Sequence, residues 1–245
     1  MDSTTQGITF LIIIAVLVAN AVVRRNTRPQ RPIAALQAIP TLVNASIETN
    51  QPMHLSFGGF GIGAQETILA LASADFFYHS ARQVALGDAS PIVTVGNAST
   101  LQVARDVLRR AHRNSKARDE YRPFNVRWYP DTGFAMVAAF SVMTHDDKIS
   151  SHLLTGNSGS ELALPLWGAE RAGVPTIAAS TRIGGQAVAY ALADHVLLGE
   201  ELFAAPGYFD ETSPLKHRTL VIDLLRLVLV AVIVIAFVVN FVGRG

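Results

Sequence analysis

The chain has 245 residues, a formal net charge of +1 and no cysteine, and half of its residues are apolar. That length suits one compact domain with its own core. A near-neutral charge argues against nucleic acid as a partner, and the lack of cysteine fits a reducing compartment.

The mean hydropathy of +0.32 is high for a purely soluble protein. Much of the apolar excess lies at the two ends. Residues 7–23, GITFLIIIAVLVANAVV, carry no charge. At a rise of about 1.5 Å per residue such a helix is roughly 25 Å long, enough to span a bilayer. Ala19-Asn20-Ala21 fits the small-x-small pattern of signal cleavage. However, the preceding MDSTTQ contains an acid and no base, and the arginines at 24, 25, 28 and 31 follow the apolar run. An uncleaved anchor is the expectation.

Residues 24–40 hold these arginines together with Pro29, Pro32 and Pro40, and read as a basic juxtamembrane linker with a short amphipathic stretch at 33–39. From 41 to 212 the pattern becomes strands alternating with helices. Residues 54–57 form a short apolar strand, 58–63 a glycine-rich turn and 64–84 a helix. Residues 91–95, PIVTV, are a β-branched strand, followed after Gly96-Asn97 by a helix to about Arg113. Residues 123–129 and 133–142 read as a hairpin around Pro130-Asp131-Thr132-Gly133, with a helix over the alanine-containing second run as the rival reading. Then come a strand at 151–155, a helix at 161–172 with Pro165 in its first turn, a strand at 176–179, a helix at 184–193 and a strand at 195–198.

This rhythm predicts an α/β, Rossmann-like fold: a mainly parallel sheet in three layers with one antiparallel excursion. A second apolar segment, 219–242, closes the chain. Its Asp223 and Arg226 are three apart and share a helix face. Asn20 and Asn240 are the amides that either join helices in lipid or sit among headgroups. Lys216, His217 and Arg218 flank the second span on the domain side, as the arginines flank the first. The positive-inside rule therefore predicts a two-pass protein of the cell membrane, with the domain cytoplasmic and both termini outside.

Gly59-Phe60-Gly61-Ile62-Gly63-Ala64 fits G-x-G-x-x-A between a strand and a helix. Glycines there let backbone N–H groups approach a phosphate at the positive end of a helix. The competing reading is a tight packing turn. The next strand ends in Asn97, where a dinucleotide fold places an acid, and the spacing is longer than the usual ~20 residues. The loops carrying Asn97, Ser158 and Arg182 share the carboxyl edge of a parallel sheet with that turn. Gly59, Gly61, Gly63, Asn97, Ser158 and Arg182 are thus the candidate binding residues, for a nucleotide or another anionic small molecule. Against this stands the small-residue capping that every such loop needs.

No catalytic set emerges. Ser158 lies outside a G-x-S-x-G elbow, and His145-Asp146-Asp147 lacks metal-ligand spacing, so no metal is expected. His152 opens an apolar strand and reads as structural. The basic stretch 105–127 reads first as a solvated or subunit-contacting face, with an anionic cytoplasmic leaflet or nucleic acid as the alternatives. Of Glu200 and Glu201, one reads as a helix cap.

The segments ADHVLLGEELFAA (193–205) with PGYF (206–209), PIVTVGNASTLQVARDVLRRAHR (91–113) and Gly185-Gln186-Ala187 resemble an uncharacterised family of bacterial membrane-anchored proteins. The resemblance implies the anchored α/β architecture and supplies no catalytic residue. FGGFGIGAQE (57–66) is more glycine-rich than that pattern. The expectation is a non-enzymatic scaffold or accessory subunit, with the lipid bilayer and either further copies or other membrane subunits as partners and no obligatory cofactor. The alternative is a nucleotide- or anionic-metabolite-binding domain.

Overall fold

A computed structural model describes residues 31–209, apart from 64, 116–120, 132 and 133, together with 16, 221, 223–230 and 233. The chain divides into two compact units. One is Pro32–Pro206, and the other joins Met1–Arg31 with Gly207–Gly245. In the second unit the described residues other than Arg31 are helical. The expected spans 7–23 and 219–242 otherwise lie outside the described residues, as do Asn20 and Asn240. Among the described residues no helix is long and apolar enough to cross a membrane.

In Pro32–Pro206 the strands are β1 (Met53–Ser56), β2 (Ile92–Val95), β3 (Val126–Trp128), β4 (Ser151–Gly156), β5 (Thr176–Ser180) and β6 (His195–Val196). They lie in the order β3-β2-β1-β4-β5-β6, every pair parallel. β1, β2, β4 and β5 are buried at every residue. Helices covering both faces of a parallel sheet produce this pattern, and such strands read as continuous apolar runs.

The helices are α1 (Ala34–Thr49), α2 (Thr67–Val84), α3 (Leu101–Ser115), α4 (Ala135–Asp146), α5 (Ala163–Ala172) and α6 (Ile183–Leu192). On β4, Thr155 Oγ1 lies 3.0 Å from Ser73 Oγ of α2, whereas His152 Nε2 lies 2.9 Å from Thr144 Oγ1 of α4. Residues an odd number apart on a strand face opposite ways, so α2 and α4 cover opposite faces. α3 and α1 pack against α2, and α5 lies between α4 and α6.

Two expectations are corrected. The run after Asp131 is not the second strand of a hairpin. It forms α4, and β3 pairs parallel to β2. The helix wins because it sends Met136, Val137, Phe140 and Met143 into the core together, at helical spacing. The antiparallel excursion therefore disappears. The stretch read as linker to residue 40 is already helical from Ala34, with Pro40 inside α1. An interior proline costs about 3 kcal/mol. Burial of Leu36, Ile39, Leu42 and Val43 offsets it, at about 1.5–3 kcal/mol per side chain. Pro165 falls in the first turn of α5, as expected.

Candidate functional site

All five loops that leave a strand for a helix emerge at the carboxyl edge, because every strand is parallel. The chain order reverses between β1 and β4, the place where open α/β sheets form a ligand crevice. The glycine turn after β1 and the Gly156–Ser160 segment after β4 meet there.

Gly58 is the conformational pivot of the turn. Its φ is +53°, and a Cβ on it would come within 2.5 Å of Thr155 O and 2.8 Å of Gly156 Cα. Its carbonyl accepts from Gly96 N at 2.7 Å, which ties the ends of β1 and β2 together. The three motif glycines beyond it differ from one another. A Cβ on Gly59 would overlap the carboxylate of Asp131 and the amide oxygen of Asn157, so both side chains lie over that residue. Asn97 lies over Gly61, where Nδ2 would be 2.6 Å from a Cβ. Gly63, at φ +90°, faces open space.

The backbone donors that would cradle a phosphate are turned to internal use. Ile62 N–H donates to Ser99 Oγ at 2.8 Å, and Gly63 N–H to Thr67 Oγ1 at 2.9 Å. Phe60 O accepts from the Thr100 hydroxyl. Asn97 caps the short 3-10 helix Ala98–Thr100, its Oδ1 accepting from Ser99 N at 3.0 Å and Ser99 Oγ at 2.9 Å. α2 begins only at Thr67, past the motif. Across the crevice, the Ser158 carbonyl accepts from Ser180 Oγ at 2.6 Å, and a Cβ on Gly185 would overlap it.

The electrostatics also differ from those of a phosphate site. Burial raises the Asp131 carboxyl above its ordinary pKa, the Glu161 carboxylate raises it further, and the Arg182 guanidinium opposes both. Glu161 is itself held by Gly159 N at 2.6 Å. Two acids therefore share this edge with one cation. Sequence reasoning brought Gly59, Gly61, Gly63, Asn97, Ser158 and Arg182 to one edge, in loops that also carry Asn157 and Ser180, and missed Asp131 and Glu161. Asp131 closes the loop after β3, and in the sequence it reads only as a turn former.

The remaining candidates have structural partners. Asp147 pairs with Arg127 through two bonds, at 2.6 and 2.7 Å. Asp106 takes Arg109 at 3.0 Å and Arg110 at 2.7 Å, and Arg110 also lies over the Tyr78 ring, which partly neutralises the basic face of α3. Glu201 accepts from Leu198 N at 3.0 Å and caps the 3-10 helix Gly199–Ala204. Asp194 accepts from both Thr176 N and Thr176 Oγ1, joining the starts of β5 and β6. Among the described residues no three His, Cys, Asp or Glu side chains could hold a metal ion.

One family model, described as a domain of unknown function (DUF6754), matches residues 2–244. No curated protein and no solved structure matches the chain.

Proposed function

The chain belongs to the DUF6754 family, and we propose that it acts as a membrane-anchored scaffold or accessory subunit of a membrane assembly, its α/β domain cytoplasmic and without chemistry of its own. The observation that carries this reading is the state of the switch-point crevice. Asp131 and Asn157 lie over Gly59, Asn97 lies over Gly61, and two amide donors of the turn are bonded to Ser99 and Thr67. The close backbone approach that glycine permits is spent on the protein's own side chains. Support for anchoring comes from the uncharged runs 7–23 and 227–242 with basic residues on their domain sides.

The second reading, an anionic ligand held by Gly59, Gly61, Gly63, Asn97, Ser158 and Arg182, draws on the open surroundings of Gly63 and the exposed Arg182. One experiment separates the two. The full chain in mild detergent is melted with and without ATP, NAD and a sugar phosphate. A ligand at about a hundred times its Kd stabilises a protein by about 2.7 kcal/mol. The scaffold reading expects no shift. A saturable shift that Gly61→Val abolishes would overturn it in favour of the second.

A further inference from the structure

The outer surface of α4, α5 and α6 is nearly free of charge. Phe134, just before α4, is 65% exposed, Val142 of α4 56%, Trp167 of α5 52%, and Ile183 and Tyr190 of α6 86% and 75%. Leu164 of α5 adds to them. Between these large side chains the outward positions are small, as at Ala138, Gly184 and Ala187. α6 contains no charged residue. Asp146 of α4 and Glu170 and Arg171 of α5 sit in the last turns of their helices, at the opposite end from the carboxyl edge. The layer on the other face differs, since α3 presents Arg109, Arg110 and Arg113 to solvent.

We propose that the α4–α6 surface is where two copies of this chain associate, in a symmetric contact that deepens the scaffold reading and rests on it. Three observations select a second copy as the occupant. The first is area. With aromatic side chains contributing about 150–250 Å² each, the six large residues expose on the order of 700 Å². That is close to the roughly 800 Å² per partner of a standard stable interface. The second is charge. A patch whose charges stand at the helix ends, at Arg182 before α6 and at Glu170 and Arg171 in the last turn of α5, meets its own image with few opposing like charges, as a two-fold contact requires. The third is relief, because large side chains alternate with Ala and Gly positions, so each copy supplies both projections and recesses. A lipid surface fits less well. Peripheral membrane helices surround their apolar face with Lys and Arg, whereas α4–α6 carry Arg171 alone, and it lies over the Trp167 ring at 4.9 Å.

The test uses the full chain in mild detergent. Because the chain has no cysteine, a single introduced one reports on its own position. Ala138→Cys or Ala187→Cys should give a disulfide-linked dimer on mild oxidation, while Arg109→Cys on α3 should not. The detergent-corrected mass should be that of two chains, falling to one in Trp167→Glu/Ile183→Glu with unchanged far-UV circular dichroism. A wild-type mass of one chain would overturn the contact. So would a two-chain particle that survives both glutamates, or one that cross-links only through Arg109→Cys. A single chain that co-purifies in fixed proportion with a different protein, and does not respond to nucleotide, overturns the self-contact and leaves the scaffold reading standing. A two-chain particle that melts higher with nucleotide does the reverse.

Discussion

His54 and His152 face each other in register across β1 and β4, with their Nδ1 atoms 2.8 Å apart and both side chains fully buried. Their outer nitrogens are bonded as well, His54 Nε2 to Thr94 Oγ1 at 2.9 Å and His152 Nε2 to Thr144 Oγ1 at 2.9 Å. The proton order follows from the last link. The Thr144 hydroxyl donates to the Phe140 carbonyl at 3.0 Å, so its oxygen must accept from His152 Nε2. A neutral His152 then offers Nδ1 as an acceptor, His54 donates from Nδ1, and Thr94 donates to His54 Nε2. The chain of bonds runs in one direction, and each of its members has a partner.

This arrangement makes stability depend on pH. Burial lowers the pKa of both rings, His152 to about 4, and the proximity of His152 and Arg127 lowers that of His54 further. In the unfolded chain both titrate near 6.5, so below that pH the unfolded state binds more protons. The stabilisation is complete above about pH 6.5 and is lost as pH falls towards 4, at up to about 1.4 kcal/mol per pH unit for each histidine. For His152 alone the loss reaches about 3 kcal/mol. Asp131, whose carboxyl is raised, works in the opposite direction at lower pH. Urea unfolding of the full chain in mild detergent at pH 7 and pH 4.5 measures the slope, and equal midpoints would contradict it.

The two threonines should be coupled. Thr144→Val removes an acceptor, but the bonds can reverse so that His54 donates to Thr94, which leaves an unpaired acceptor in place of an unpaired donor. Thr94→Val also leaves one acceptor unpaired. Each single change is expected to cost about 1–3 kcal/mol. With both replaced, no direction avoids a buried unpaired N–H. The double variant should therefore cost more than the sum of the singles, by about 0.5–3 kcal/mol. Denaturation of the four proteins in a double-mutant cycle reads this directly.

Alanine at the glycines of the turn should rank by what each position meets. Gly58→Ala combines a left-handed φ of +53° with a backbone overlap at Thr155 O, and is expected to cost about 2–4 kcal/mol. Gly63→Ala bears the cost of positive φ without a clash, about 1 kcal/mol. Gly59→Ala meets only the ends of Asp131 and Asn157, which can swing aside, so it should cost less than Gly58→Ala. If Gly58→Ala proved the mildest by urea midpoint, the packing account of this turn would fail.

Arg127 of β3 and Asp147 at the end of α4 form a partly buried two-bond ion pair, each side chain below a third exposed. The Asp147 carboxylate raises the pKa of Arg127 and so stabilises its charged form. Asp147→Asn should destabilise by about 1–2 kcal/mol. The loss should change little between low and high salt, because a pair of this burial is screened less than a surface pair.

The local elements were largely legible because their signals are local. A β-branched run ending at Gly96-Asn97 marked β2, a short apolar run ending at Gly156 marked β4, and the repeating strand–helix spacing implied a parallel sheet. That one of Glu200 and Glu201 caps a helix was legible because a cap needs only its own first turn, and the structure selects Glu201. The helix over Ala135–Asp146 was not, since Pro130 and Asp131 make good turn chemistry and the following run suits either a strand or a helix until Phe140 and Met143 find a core. Nor was α1 legible through Pro40, whose cost is visible in sequence while the burial that offsets it is not. The candidate crevice divides in the same way. Its glycines and the edge they share follow from sequence order. That Asp131 and Asn157 cover Gly59, and that His54 bonds to a residue 98 positions away, follows only from the closure of the sheet. Sequence by itself determined which segments could be strands and where their loops had to emerge, because backbone propensity and periodicity act over a few residues. Tertiary structure decided which polar groups were left for a ligand, because hydrogen bonds are filled by whatever the fold brings within about 3 Å.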